Sequence, residues 1–250
     1  MTQHTLQGRT EDEILWFQRR SFLQAAAAWT AMGGYGAAVA QQRSNVVDLR
    51  GDAYVNGQKL RQEQFVQTGD TVETGPDGYL VFALGNSSFL VRQNTRLVVT
   101  RGDTLSTVSV LRLLTGAIVS VWKKGGHRQI VTPTLTAGIR GTGVYTEVRP
   151  EEGYRSYFCN CYGTVDMSAS GERVVSQSEY HQSFWGEAEP RGGRMLTPAL
   201  AINHTDEELE FLAGLVNQQT SWQITGHKGV KDGSGYMDPK PGQVHPLTPR

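Results

Sequence analysis

The sequence predicts an all-β domain, in the form of a short-stranded β sandwich, roll or short solenoid. A short C-terminal helix and a flexible tail follow it. Short apolar runs, many of them alternating with polar residues, recur from Val46 to Ser176. Turn pairs such as Asn56-Gly57 and Gly69-Asp70 separate these runs. The chain contains 29 glycines and 9 prolines. Short runs divided by glycine-rich turns are typical of sandwiches and barrels.

Charge and hydropathy exclude two classes of partner. Lys and Arg number 24, and Asp and Glu also number 24, so the formal net charge is zero. A nucleic-acid-binding domain normally carries a basic surplus or stripe, so we expect no nucleic-acid partner. A membrane-spanning helix needs about 20 apolar residues in a row. No such run follows position 40, so we expect no membrane span once the leader is removed.

Residues 1–40 are similar to a twin-arginine export signal. Paired arginines, an apolar pair and a small-x-small cleavage site occur in the expected order, at Arg19, Arg20, Phe22, Leu23, Ala38 and Ala40. Gln18 and Gln24 depart from the residues that are usual at their positions. The alternative is an amphipathic helix with a chance arginine pair. The signal predicts contact with the twin-arginine translocase during export and a periplasmic location.

Four glycine-containing motifs follow one another in the body of the chain. They are Gly51–Gly57, Thr68–Tyr79, Leu113–Ser120 and Val131–Thr142. With these motifs in this order, residues 46–167 resemble the FecR-like domain, named for the periplasmic regulator of iron-dicitrate uptake. The resemblance implies an all-β fold and contact with an outer-membrane receptor. It also implies a relay through a membrane helix to a cytoplasmic segment that controls a sigma factor. We expect this chain to lack that helix and segment, and thus to be the exported module alone.

The chain is predicted to have four parts. Residues 1–40 are the signal, 41–185 the FecR-like β domain, 186–225 an extension with one amphipathic helix, and 226–250 a disordered tail.

Thr205 and Glu208 have the spacing of a capping box, which predicts the start of that helix. Leucines at helical spacing then extend it from Asp206 to about Gln218.

The closing R-G-T motif holds one candidate binding site. Gly138, Arg140, Gly141 and Thr142 lie in a bend that contains three glycines within six residues. Arg140 beside freed backbone amides fits an anion anchor. The alternative is a local clamp, in which Arg140 bonds buried carbonyl groups at a strand corner.

Cys159 and Cys161 are the only cysteines. On a regular strand their thiols share one face at about 6 to 7 Å, so a disulfide between them requires a bulge or other distortion. Three interpretations stay open. The thiols are buried and inert, or they bind a soft metal, or they form a strained, redox-active disulfide. His181, His204 and His127 are the candidates to complete a metal site. The alternatives are that His181 is a packed or surface histidine and that His204 is a local turn residue before the helix.

Trp122 is a candidate for an exposed binding platform. It lies beside Lys123, Lys124 and Arg128, which suits a sugar or peptide ligand. The alternative is a strand-end aromatic residue covered by lysine stems.

The leading functional hypothesis is a non-enzymatic periplasmic recognition or signalling module that binds an envelope protein or cell-wall glycan. Sequence motifs for a serine nucleophile, a zinc protease or a phosphate loop are absent, so we expect no enzymatic activity. The alternative is a metal- or haem-associated periplasmic protein that uses the Cys159 and Cys161 pair. A transition metal is then the candidate cofactor, and a thiol-redox role is a third hypothesis.

Overall fold

A computed structural model of the protein describes residues 44–104 and 106–229. These residues form fifteen strands, a 3-10 turn at Pro150–Glu152 and two short helices, which confirms the all-β class. The first seven strands are β1 (Val46–Arg50), β2 (Ala53–Val55), β3 (Gln58–Lys59), β4 (Thr71–Thr74), β5 (Tyr79–Leu84), β6 (Ser87–Val91) and β7 (Arg96–Arg101). The next four are β8 (Val108–Trp122), β9 (Arg128–Val131), β10 (Thr136–Ile139) and β11 (Gly143–Arg149). The last elements are β12 (Arg155–Ala169), β13 (Glu172–Ser178), β14 (Gln182–Arg191), β15 (Arg194–Ala199), α1 (Asp206–Leu215) and α2 (Ser221–Thr225).

The strands form two sheets that share β8 and β12. The first, here called the helix-side sheet, has the order β1-β5-β6-β8-β11-β12-β14-β15. The second, here called the open sheet, has the order β3-β2-β4-β7-β8-β9-β10-β12-β13. All of these pairs are antiparallel except β8 with β9.

Each of the two shared strands crosses between the sheets at a glycine. β8 leaves the open sheet at Gly116 (φ 77°), and β12 leaves the helix-side sheet at Gly163 (φ 97°). A Cβ atom on Gly163 would lie 2.6 Å from the carbonyl oxygen of Gly141. The positive φ and the close approach both require glycine at this crossing.

The main core lies between the sheets, and a second apolar cluster covers the outer face of the helix-side sheet. Phe82, Phe89, Trp122 and Phe158 fill the main core and are fully buried. On the outer face, α1 packs its leucines against β6, β8 and β11. The period of two along the strands separates the two clusters.

The predicted capping box at the start of α1 is confirmed. The Thr205 hydroxyl accepts from the Glu208 amide, and the Glu208 carboxylate accepts from the Thr205 amide. Glu208 also forms a buried ion pair with Arg92, whose Nη2 lies 2.9 Å from Oε1. The helix ends at Leu215, and a second helix, α2, follows it.

The predicted boundary after residue 185 lies inside a strand. β14 spans Gln182–Arg191 and pairs with both β12 and β15, so the helix-side sheet continues to Ala199. The physical reason is that Phe184 and Leu196 fill the main core.

The predicted tail is also partly ordered. Residues 226–229 are folded against the domain, and the Lys228 ammonium lies 3.0 Å from the Asp206 carboxylate. The rest of the predicted tail and the predicted export signal lie outside the described residues. Among residues 44–104 and 106–229, neither helix has the length and apolar character that crossing a membrane requires.

Candidate metal centre

A bulge in β12 brings the two thiols together. Gly143 of β11 pairs with Tyr162, but Val144 pairs with Asn160, so Cys161 is an extra residue on β12. Such a bulge redirects the side chains near it. The Sγ atoms of Cys159 and Cys161 lie 3.6 Å apart, far closer than a regular strand allows. Both thiols are free and fully buried.

Two histidines from other segments complete the cluster. His181 lies in the turn between β13 and β14, and its Nδ1 is 3.5 Å from the Cys159 Sγ. His204 directly precedes the Thr205 cap of α1, and its Nε2 is 2.9 Å from the His181 Nδ1. One ligand atom from each of the four residues lies within 4.8 Å of all the others. His181 has a positive φ of 42°, a conformation that non-glycine residues rarely adopt outside functional or tightly constrained sites.

The cluster has the dimensions of a tetrahedral metal site. Zinc binds thiolate sulfur at about 2.3 Å and imidazole nitrogen at about 2.0 to 2.1 Å, which puts neighbouring ligand atoms about 3.3 to 3.8 Å apart. Three of the separations within the cluster, 2.9, 3.5 and 3.6 Å, are close to those edges, and all pairs lie within 4.8 Å. Shifts of about 1 Å or less would therefore seat a four-coordinate ion.

Each histidine is oriented by a partner on its other ring nitrogen. The Nε2 of His181 lies 3.2 Å from the Asp206 carboxylate, and the Nδ1 of His204 lies 2.6 Å from the carbonyl oxygen of Ile202. With the N–H protons on those outer nitrogens, the two facing nitrogens would both be free to offer lone pairs to a metal ion. Histidine ligands in metal sites have this arrangement of outer partners.

Asp206 is itself held in place by two donors. The Tyr180 hydroxyl donates to its Oδ2 at 3.1 Å, and the Lys228 ammonium lies 3.0 Å from the same oxygen. The Asp206 side chain is fully buried, so these partners balance its charge.

The electrostatics of the cluster favour one thiolate. Burial by itself raises the pKa of Cys159. The hydrogen bond from Cys161 and the charges of His204 and His181 outweigh burial, and they hold the pKa well below its usual value. Burial raises the pKa of Cys161 well above its usual value, and the neighbouring Cys159 and Asp206 add to the rise. The positive charge of a metal ion would stabilise the second thiolate as well.

Aromatic rings close the cluster from solvent. Tyr145 stacks on His204 at a centroid distance of 4.8 Å, and Trp222 stacks on His181 at 5.4 Å. The His181 side chain is 1% exposed. A site with four protein ligands and no solvent access is typical of structural metal centres rather than catalytic ones.

All four of these residues are candidates that the sequence predicts. The structure brings Cys159, Cys161 and His181 together as predicted, and it places His204 in the cluster rather than leaving it a simple turn residue. His127 is exposed in the turn between β8 and β9 and is not part of the group.

The other two candidate sites differ from their predictions. Trp122 is fully buried in the main core, where its Nε1 donates to the Ser120 hydroxyl at 2.8 Å. The prediction of an exposed binding platform is therefore wrong.

Arg140 is largely exposed, and its guanidinium pairs with the Asp166 carboxylate on β12. The alternative prediction, that Arg140 clamps buried carbonyl groups, is therefore also wrong. Gly138 lies on β10 opposite Asp166. A role for this motif in anion binding stays a prediction.

The geometry thus defines a class of site, a buried centre of two cysteines and two histidines on an all-β scaffold. Comparisons of the chain with protein-family models, with curated proteins and with solved structures gave no match. The function therefore has to be inferred from the chemistry of the site.

Proposed function

We propose that the protein binds one divalent transition metal ion, zinc above all, through Cys159, Cys161, His181 and His204. The observation that carries this proposal is the pair of imidazole nitrogens that face each other at 2.9 Å. With a metal bound and their N–H groups directed to Asp206 and to a backbone carbonyl, these nitrogens would offer lone pairs to the same point as two thiols. A shared cation is the simplest group that satisfies them all.

The charges around the site favour a divalent ion. Two thiolates carry two negative charges, while the charges of Asp206 and Lys228 cancel through their ion pair. A divalent ion makes this buried assembly neutral, whereas a monovalent copper ion leaves one uncompensated negative charge. Because buried net charge is costly, the divalent ion is preferred. Among divalent ions, zinc best suits a tetrahedral set of two sulfur and two nitrogen ligands.

The metal would join three separate parts of the chain. Cys159 and Cys161 belong to β12, His181 to the turn before β14, and His204 to the segment before α1. An ion bound by all of them would fix the start of α1 on the helix-side sheet. We therefore propose a structural centre, and the absence of enzymatic activity stays part of this proposal.

Metal content and cobalt substitution test the centre. Protein purified without chelator should contain about one equivalent of metal per chain, and its cobalt form should show thiolate charge-transfer bands and tetrahedral ligand-field bands. Cys161→Ser and His204→Ala should lose the metal. His127→Ala, an exposed histidine outside the cluster, is the matched control and should keep it. Only trace metal in the wild-type protein would rule the proposal out.

We also propose that this metal-stabilised domain serves as an exported recognition or signalling module of FecR-like type. What supports it is the way the first two motifs meet. A Cβ on Gly51 would lie 2.3 Å from the Asp77 carbonyl oxygen, and one on Gly78 would lie 2.4 Å from the Asp52 carbonyl oxygen. The two motifs therefore pack against each other, and each contributes a glycine where the backbone of the other comes close.

Export and partner capture test this second function. Replacing Arg19 and Arg20 by lysine should keep the precursor in the cytoplasm, and the exported wild-type protein should begin at Gln41. The exported protein should then capture a specific envelope protein or glycan from periplasmic extract. Export that is indifferent to the arginines, or no specific capture, would argue against the proposal.

A further inference from the structure

We propose that residues Ser221–Gly229, here called the lid, gate the exchange of metal at the centre. Trp222 is the plug of the lid, and opening of the lid lets the ion enter and leave. This inference rests on the proposed metal centre and adds the regulation of its occupancy.

Trp222 covers the solvent side of the ligand His181. The indole stacks on the imidazole at a centroid distance of 5.4 Å and an interplanar angle of 26°. It also meets Tyr162 and Tyr180 edge to face, at 5.6 and 5.3 Å. Its Nε1 donates to Glu210 on α1 at 2.7 Å, and the residue is 2% exposed. Trp222 therefore shields the centre on this side together with Tyr180, which meets the His181 ring edge to face at 4.8 Å.

The lid is held by few other groups. Trp222 is the single buried residue of α2. The Ser221 hydroxyl donates to the Glu179 carbonyl, and Lys228 pairs with Asp206 and Glu210, although its side chain is 43% exposed. A five-residue helix has little stability of its own, so its position depends on these contacts.

The adjacent helix α1 is anchored much more firmly. Leu209, Leu212 and Ala213 are fully buried, and Glu208 forms its buried ion pair with Arg92. Segments with few buried contacts open at much lower free energy than core elements. We therefore expect the lid to open while α1 stays docked.

The other sides of the centre are closed by the fold. β12 lies beneath it, with Phe158 of the main core on the opposite face. Tyr145 stacks on His204, and Tyr157 donates its hydroxyl to the Leu200 carbonyl at 2.8 Å. Both tyrosines are fully buried, so moving either of them would disrupt the core. Displacement of the lid exposes a ligand without such a disruption.

The test is the rate at which the zinc-loaded full chain transfers its metal to a chromogenic chelator. Trp222→Ala should accelerate transfer at least about tenfold, because the plug is gone while all four ligands remain. Trp222→Phe keeps an aromatic ring, so its rate of metal transfer should lie between those of the wild type and Trp222→Ala. Ile224→Ala is the matched control, because Ile224 lies on the same helix but is 69% exposed, and it should exchange like the wild type. Lys228→Met removes the ion pairs that hold the lid to Asp206 and Glu210, and it should accelerate metal transfer less than Trp222→Ala does.

Metal stoichiometry and cobalt spectra, measured first on every variant, separate the two proposals. Unchanged stoichiometry and spectra with faster exchange in Trp222→Ala support the lid. Unchanged stoichiometry with unchanged exchange overturns the lid and leaves the metal centre intact. Equal acceleration in Ile224→Ala also overturns it, because the effect would then be a general loosening of α2. A wild-type chain that binds no metal overturns the centre and the lid together.

Discussion

The two faces of the helix-side sheet are stabilised in different ways. The inner face meets the open sheet through large apolar side chains such as Phe82, Phe89 and Phe158. The outer face, one residue along the same strand, carries Cys159 and meets a histidine cluster beneath the C-terminal helices. The inner face depends on volume and burial, whereas the outer face depends on polar partners that only the full tertiary structure brings together. The difference suggests that metal affects one face and not the other.

The largest effect should come from the inner face and should not depend on metal. Phe158→Ala removes a fully buried ring and should lower the free energy of unfolding by about 3 to 5 kcal/mol. Because the ring lies on the side of β12 away from the cysteines, the loss should be the same with zinc and with chelator. Denaturant unfolding in both conditions measures it. A loss that changes with metal would show that the two faces are coupled.

Metal removal should act through the outer face. At free zinc about 1,000 times the dissociation constant, binding to the folded state adds about 4 kcal/mol to the free energy of unfolding, and chelator should remove it. Cys161→Ser should abolish the difference between the two conditions. Thermal or denaturant unfolding with and without zinc checks this. Equal stability of the wild-type protein in both conditions would contradict a structural metal.

The outer partner of His181 should have a smaller effect. Asp206→Asn keeps the shape of the side chain but weakens the acceptor that orients the ring, and loss of such a partner typically costs 10- to 100-fold in metal affinity. Glu207→Gln, an exposed change in the same helical turn, is the matched control. Competition with a chelator of known affinity measures both. Equal affinities for the two variants would show that Asp206 does not support the ligand.

The inner face could be predicted from the sequence much better than the outer one. Period-two patterns and turn glycines determine the β class locally, and the spacing of Thr205 and Glu208 marks the start of α1. The start of α2 carries the same signal, a Thr220 and Gln223 capping box, so the spacing of these two residues could have predicted this helix as well.

The metal centre depends on features that local patterns do not encode. Two cysteines at i and i+2 match a metal site only because Cys161 is the extra residue of a bulge, and the register with β11 decides that. His181 and His204 reach the thiols from separate turns. It is therefore the topology of the fold that places these two histidines, and not His127, beside the cysteines. Sequence reasoning could therefore name the candidate ligands but not select among them.

A second buried polar pair on the outer face provides a metal-independent contrast. Arg155 lies on the same face of β12 as Cys159, and its Nε is 2.6 Å from the Glu187 carboxylate. Burial alone would raise the pKa of Glu187, but the hydrogen bonds from Arg155 and Thr197 outweigh it and hold the pKa below its usual value. A depressed carboxyl pKa stabilises the folded state above the unfolded value, and that contribution is lost as the pH falls through the folded pKa.

Glu187→Gln should therefore show a pH dependence of its own. At pH 7 the variant should lose about 1 to 3 kcal/mol of unfolding free energy, since charge-assisted hydrogen bonds to Arg155 are weakened. Below about pH 4.5 the gap to the wild type should shrink, because the wild-type carboxylate is then protonated in the unfolded chain and progressively in the folded one. Urea unfolding of both proteins across this range, in chelator so that metal release does not contribute, measures the gap. A gap that stays constant with pH would mean that Glu187 contributes through packing. In the absence of metal, the outer face would then be stabilised by packing, as the inner face is.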